Sequence, residues 1–120
     1  MEQLPQKLQD QLLQFQQLQQ QAQVISNQRL QAELQSKEIE RALAELGKLG
    51  TKAEVYKSIG QLLIKNPKGS VEKDLQERKD TLEVRVTALK RQEEKLKAKL
   101  KEMQAKLQEE IKKAGHTAAG

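Results

Sequence analysis

Residues 53–66 read AEVYKSIGQLLIKN and interrupt an otherwise helical pattern. Val55, Lys57 and Ile59 alternate with Tyr56 and Ser58, and a second apolar run, Leu62–Leu63–Ile64, follows. Between the runs sits Gly60–Gln61. Two short β-prone runs joined by a two-residue loop with glycine first predict a hairpin closed by a type II′ turn. A lone two-stranded hairpin is marginally stable in water, and both of its strands are edges with unpaired backbone groups. Such a hairpin needs its own helices, or other chains, to cover it. By alternation, Val55, Ile59, Leu62 and Ile64 share one face, and Tyr56 and Leu63 the other.

The flanks are of nearly equal length and predict two long helices, over residues 5–46 and 70–113, with a tail at 114–120. In the first flank, Leu4, Gln11, Leu18, Ile25, Ala32, Ile39 and Leu46 recur every seven residues. Leu8, Phe15, Ala22, Arg29, Ser36 and Leu43 form the second set, four positions later. Together they make a heptad seam with polar weak points at Gln11, Arg29 and Ser36. The glutamines fill mostly the positions between and favour helix. Pro5 is tolerated because it sits in the first turn. Gly47 and Gly50 are expected to end this helix.

In the second flank Leu75, Leu82, Leu89, Leu96 and Met103 recur at strict sevens. Val86, Leu100 and Leu107 occupy the alternate positions, interrupted by Lys79 and Glu93. Pro67, Gly69 and Ser70 mark its start, with Glu72 and Asp74 placed against the helix dipole. Lys112, Lys113 and Gly115 mark its end, and residues 116–120 are expected to fray. Each helix would be ~63 Å long. The hairpin reverses the chain, so the expected architecture is mainly α: an antiparallel two-helix coiled coil with one β-hairpin between the helices. Position i then faces roughly 116 − i, which sets Leu4 and Leu8 against Ile111 and Leu107.

Composition narrows the function. Aromatic residues are 2% of the 120, charged residues 32%, and cysteine is absent, so disulfides and thiolate metal sites are excluded. One histidine, His116, lies in the expected tail and reads as inert. Carboxylates are scattered over solvated helix faces, leaving nothing from which to build an enzyme site. GKLG and KNPKGS lack the GxxxxGK[ST] spacing of a phosphate-binding loop, so neither metal nor nucleotide cofactor is expected. No apolar run approaches the ~20 residues of a membrane span, and no signal peptide is visible, in accord with a cytoplasmic protein.

Net charge is +5, concentrated toward the middle and the second helix. The lysines are dispersed, and many alternate with glutamate at i,i+4, as in Glu93/Lys97, Glu102/Lys106 and Glu109/Lys113. They read as helix support rather than a nucleic-acid surface. Near the chain ends apolar residues exceed what a seam needs: Leu4, Leu8, Leu12, Leu13 and Phe15, with Met103, Leu107 and Ile111 on the returning helix. Two readings are open. These residues close the coil, or they form an adaptable pad that grips apolar segments of other proteins.

A long helix, a hairpin reading VYKSIGQLLIK and a helix containing LEVRVTALKRQEEKLKAKLKEMQ together resemble the beta class of prefoldin subunits, archaeal ones above all. The run QFQQLQQQAQVIS is similar as well, and the likeness covers essentially the full length. Alpha-class subunits carry two hairpins between their helices; this chain has room for one. The resemblance implies a hexamer of two alpha and four beta subunits, with hairpins joined into a β-barrel platform and coiled coils as tentacles. Val55, Tyr56, Ile59, Gly60, Leu62, Leu63 and Ile64 would then serve assembly. The other reading of these residues is packing on the chain's own helix ends. The resemblance further implies an ATP-independent holdase that captures non-native proteins, actin and tubulin among them in eukaryotes, and delivers them to a group II chaperonin. The chain departs from the acidic balance expected of that class, having a pI near 9.5. A coiled-coil adaptor or spacer without client binding is the alternative, and a spacer has no use for a β-prone insert with open edges.

Overall fold

A computed structural model describes residues 5–119. In chain order it contains α1 (Gln6–Gly47), β1 (Val55–Ile59), β2 (Leu62–Asn66) and α2 (Lys68–Ala119). The chain therefore has the expected two long helices with a single antiparallel hairpin between them. Leu4 and Gly120 lie outside the described residues, as does the His116 side chain.

Two prolines start the helices. The Pro5 carbonyl accepts the Gln9 amide at 3.0 Å, and the Pro67 carbonyl accepts the Val71 amide at 3.2 Å. Each proline stands just before its helix, where a missing N–H costs nothing. Because Pro67 opens α2 directly, the helix begins at Lys68 rather than Ser70, and its first turn holds no acidic residue. Glu72 and Asp74 thus lie beyond the turn where a dipole contribution is strongest. Lys68 instead reaches back, its Nζ donating to the Leu49 carbonyl at 2.7 Å.

The end of α1 also differs from a glycine-capped exit. The helix stops at Gly47, but Gly60 is the only described residue with positive φ. The Lys48 and Leu49 amides donate to the Glu45 and Leu46 carbonyls at 3.2 and 3.1 Å, tightening the last turn without a left-handed residue. At the other terminus α2 runs through Gly115 to Ala119 instead of ending at Lys113. A single glycine costs a helix roughly 1 kcal/mol, and the alanines around it are the best helix formers.

The chain divides into a central unit, residues 29–88, and a terminal unit made of residues 1–28 and 89–120. In the central unit α1 and α2 run antiparallel: Lys79 Nζ lies 4.0 Å from Glu40 Oε1, and Lys68 meets Leu49. A 116 − i relation would set Glu40 against Gln76; Lys79 is one turn further, within reach of its long side chain. The seam of this unit comprises Arg29, Ala32, Ser36, Ile39, Leu43 and Leu46 of α1 with Leu75, Lys79, Leu82 and Val86 of α2. None of these residues is exposed. The polar members follow the frame as faithfully as the apolar ones.

The terminal unit repeats the arrangement with Leu8, Gln11, Phe15, Leu18, Ala22 and Ile25 of α1. From α2 it uses Leu89, Glu93, Leu96, Leu100, Met103 and Leu107, again with none exposed. Leu8 and Leu107 are its best covered apolar residues, at 3% and 6%. Glu93 is 6% exposed and lies 3.6 Å from Lys97 on the next turn. A carboxylate so placed needs such partners, since desolvating an unpaired charge costs several kcal/mol. Glu110 and Ala114 continue the frame, so Ile111 falls outside the seam and is exposed.

Candidate functional site

The first candidate surface is the hairpin of the central unit. Its register pairs Val55 with Asn66, Tyr56 with Lys65, Lys57 with Ile64, Ser58 with Leu63 and Ile59 with Leu62. Cross-strand partners share a face. One face therefore carries Val55, Lys57, Ile59, Leu62 and Ile64, and the other Tyr56, Ser58, Leu63 and Lys65. The turn is type II′: Gly60 has φ +59°, and Gln61 does not share the positive φ that a type I′ turn needs. A Cβ at Gly60 would meet nothing within 4 Å, so the backbone conformation alone demands glycine there.

Polar contacts fix the hairpin's base. The Tyr56 hydroxyl donates to Glu54 Oε2 at 2.9 Å, and Lys65 Nζ lies 3.5 Å from the other oxygen of that carboxylate. Glu54 thus bridges a cross-strand pair. Lys57 of β1 reaches Asp74 of α2 at 3.8 Å. Asn66 donates its side-chain amide to the Ile64 carbonyl at 3.0 Å.

The apolar side chains divide sharply. Val55 is buried by its own chain, which takes it out of any free surface and makes it an anchor. Tyr56, Ile59, Leu62, Leu63 and Ile64 are all exposed, Leu62 at 66% and Leu63 at 71%. Five large apolar residues on two five-residue strands, divided between both faces, are exposed apolar surface of a kind that marks an interaction site. With only two strands in the sheet, each strand also has one row of backbone donors and acceptors without a strand partner.

The second candidate surface is in the terminal unit. Of the apolar residues that sequence placed near the chain ends, the structure puts Leu8, Phe15, Met103 and Leu107 in the seam and Leu12 half-buried beside it. Leu13 and Ile111 are the exposed ones. Alongside the seam runs an open groove of about 460 Å³, with glutamines of α1 on one wall, lysines of α2 on the other, and Leu18, Met103 and Leu107 between them. Sequence reasoning took these glutamines as spacers; their i, i+3, i+7 recurrence at 14, 17 and 21 was the signal that they share a face. Among the described residues no cluster of His, Cys, Asp or Glu could hold a metal ion.

A family model described as "Prefoldin subunit" matches residues 9–114. The chain belongs to the prefoldin family. A prefoldin subunit beta of Archaeoglobus fulgidus is 45% identical over 108 residues, covering 90% of this chain and 93% of that one. The prefoldin subunit beta of Thermococcus gammatolerans is 41% identical over 112 residues, covering 93% and 96%. The crystal structure of the prefoldin beta subunit from Thermococcus strain KS-1 superposes with a TM-score of 0.80 at 40% identity, covering 91% of this chain and 96% of that one. The chain is thus a beta-class prefoldin chaperone subunit. No helix among the described residues is long and apolar enough to cross a membrane.

Proposed function

We propose that this subunit joins an alpha-class partner in a cytosolic hexamer of two alpha and four beta chains. That hexamer captures non-native polypeptides without ATP and passes them to a group II chaperonin. The observation that carries the reading is the hairpin: Tyr56, Ile59, Leu62, Leu63 and Ile64 exposed on both faces of strands with open edges. Edge-to-edge pairing with neighbouring hairpins would complete the backbone ladder and cover the patch in one step. A spacer coiled coil would carry these residues at a cost in solubility and gain nothing from them.

Capture is assigned to the terminal unit. Leu13 and Ile111 are exposed there, and Leu8, Phe15, Met103 and Leu107 become available where the end of the seam opens; Leu4 is assigned to the same role by its place in the sequence alone. Leu12 lies beside them. A seam end whose positions are Leu, Phe and Met can repack around different apolar segments, because long unbranched side chains adapt.

Deleting residues 1–12 and 108–120 tests the division of labour. Assembly with the partner subunit is expected to survive, while suppression of aggregation of a denatured client falls. Undiminished suppression by the truncated chain would contradict the assignment of capture to these ends.

A further inference from the structure

The groove of the terminal unit has chemistry that apolar capture does not use. Its α1 wall is neutral and polar, with Gln14, Gln17 and Gln21 on one helical face. Its α2 wall carries Lys99 and Lys106, and no carboxylate lines it. Lys99 makes no ion pair among the described residues. Lys106 has only Glu102 at 3.5 Å, in a pair whose two side chains are both about two-thirds exposed and therefore loosely held. Beneath the lysines lie Leu18 and Met103 of the seam. At one end the Gln11 Oε1 is shielded from solvent and accepts no hydrogen bond.

Three features specify an occupant. The lysines are seven residues apart, so they stand on one side of α2 about 10.5 Å from each other. A third helix laid along two packed helices repeats on that same seven-residue period, so acidic residues at its positions j and j+7 would meet both lysines. An apolar stripe on the same helix would rest on Leu18 and Met103. Polar groups beside that stripe would find the glutamine amides, which both donate and accept, and a donor near Gln11 would satisfy its idle oxygen after a side-chain rotation.

We infer that this groove binds amphipathic helical segments of non-native polypeptides that carry acidic residues seven apart, with Lys99 and Lys106 selecting the acidic side. The inference deepens the capture reading and rests on it: the subunit discriminates among clients by charge as well as by apolarity.

The test uses the full-length chain and three labelled peptides of about three heptads. The first two share one apolar stripe, with Glu at the flanking j and j+7 positions in one and Lys in the other. The third has the composition of the acidic peptide in scrambled order. Fluorescence anisotropy is expected to show the acidic amphipathic peptide bound about tenfold more tightly than the basic one, as two solvated ion pairs allow. K99Q/K106Q should abolish that preference, with far-UV circular dichroism unchanged because glutamine is an equally good helix former. Equal binding of all three peptides, or a preference that survives K99Q/K106Q, would overturn the inference.

Suppression of aggregation of a denatured protein, measured alongside, separates the two proposals. Intact suppression with no charge preference removes the groove's role and leaves capture standing. A lysine-dependent preference without suppression keeps the groove and removes the holdase reading.

Discussion

Leu62 and Leu63 of the hairpin and Leu8 and Leu107 of the seam are the same residue type in opposite situations. The first two are 66% and 71% exposed; the second two are 3% and 6% exposed. The seam leucines have their partners within the chain, because a heptad repeat on each helix supplies a matching stripe. The hairpin leucines cannot, because two strands make one thin layer and a layer buries a face only against another layer. The seam is therefore self-sufficient, and the hairpin leaves its apolar side chains uncovered. Apolar surface at one site stabilises the fold; at the other it is left exposed, and under the proposed function it joins partners.

That contrast can be broken from either side. Leu62→Lys or Ile64→Lys should remove association with partner subunits altogether, because a charge replaces apolar area of about 1.5–3 kcal/mol per side chain in each interface that shares it. The chain's own helicity should not change, since both side chains are exposed in the single chain; native mass and circular dichroism together check both halves of the statement. Leu107→Ala should do the reverse. A loss of about 2–3 kcal/mol in unfolding free energy is expected, read as a lower midpoint in denaturant, with hairpin-driven association retained by the fraction that stays folded.

How much of this was legible beforehand follows from where the information is local. The heptad frame placed the seam residues from Leu8 to Leu46 and from Leu75 to Leu107, down to the polar ones such as Arg29, Ser36 and Lys79, because periodicity alone decides which side of a helix faces its partner. The turn at Gly60–Gln61 was legible because a two-residue loop with leading glycine permits few conformations. Helix ends were less so. Pro67 competes with Gly69 and Ser70 for the start of α2, and only the Val71 amide on the Pro67 carbonyl decides between them.

Ile111 stands outside the seam because apolar character does not outweigh phase: counting sevens from Met103 reaches Glu110 instead, and Ile111 is exposed. The glutamine groove was hidden for another reason. Its walls come from residues some ninety positions apart, and no single-helix pattern announces what stands across a seam.

Smaller effects sharpen the comparison. Gly60→Ala forces a residue with a Cβ into φ +59° and should cost about 1–2 kcal/mol in hairpin formation. It should weaken assembly several-fold in a titration with the partner subunit while leaving the seam's unfolding midpoint nearly unmoved. Lys106→Ala should change unfolding free energy by less than about 0.5 kcal/mol, because its pair with Glu102 is solvated. A larger loss in chemical denaturation would mean that exposed ion pairs, rather than the apolar seam, hold the helices together.

The most direct test of the hairpin as a shared surface is the native mass of this chain alone and after mixing with an alpha-class prefoldin subunit. A discrete hexamer containing four copies of this chain, lost with Leu62→Lys, is expected. A mixture in which the chain remains a monomer or simple dimer, with the wild type and Leu62→Lys indistinguishable, would contradict it.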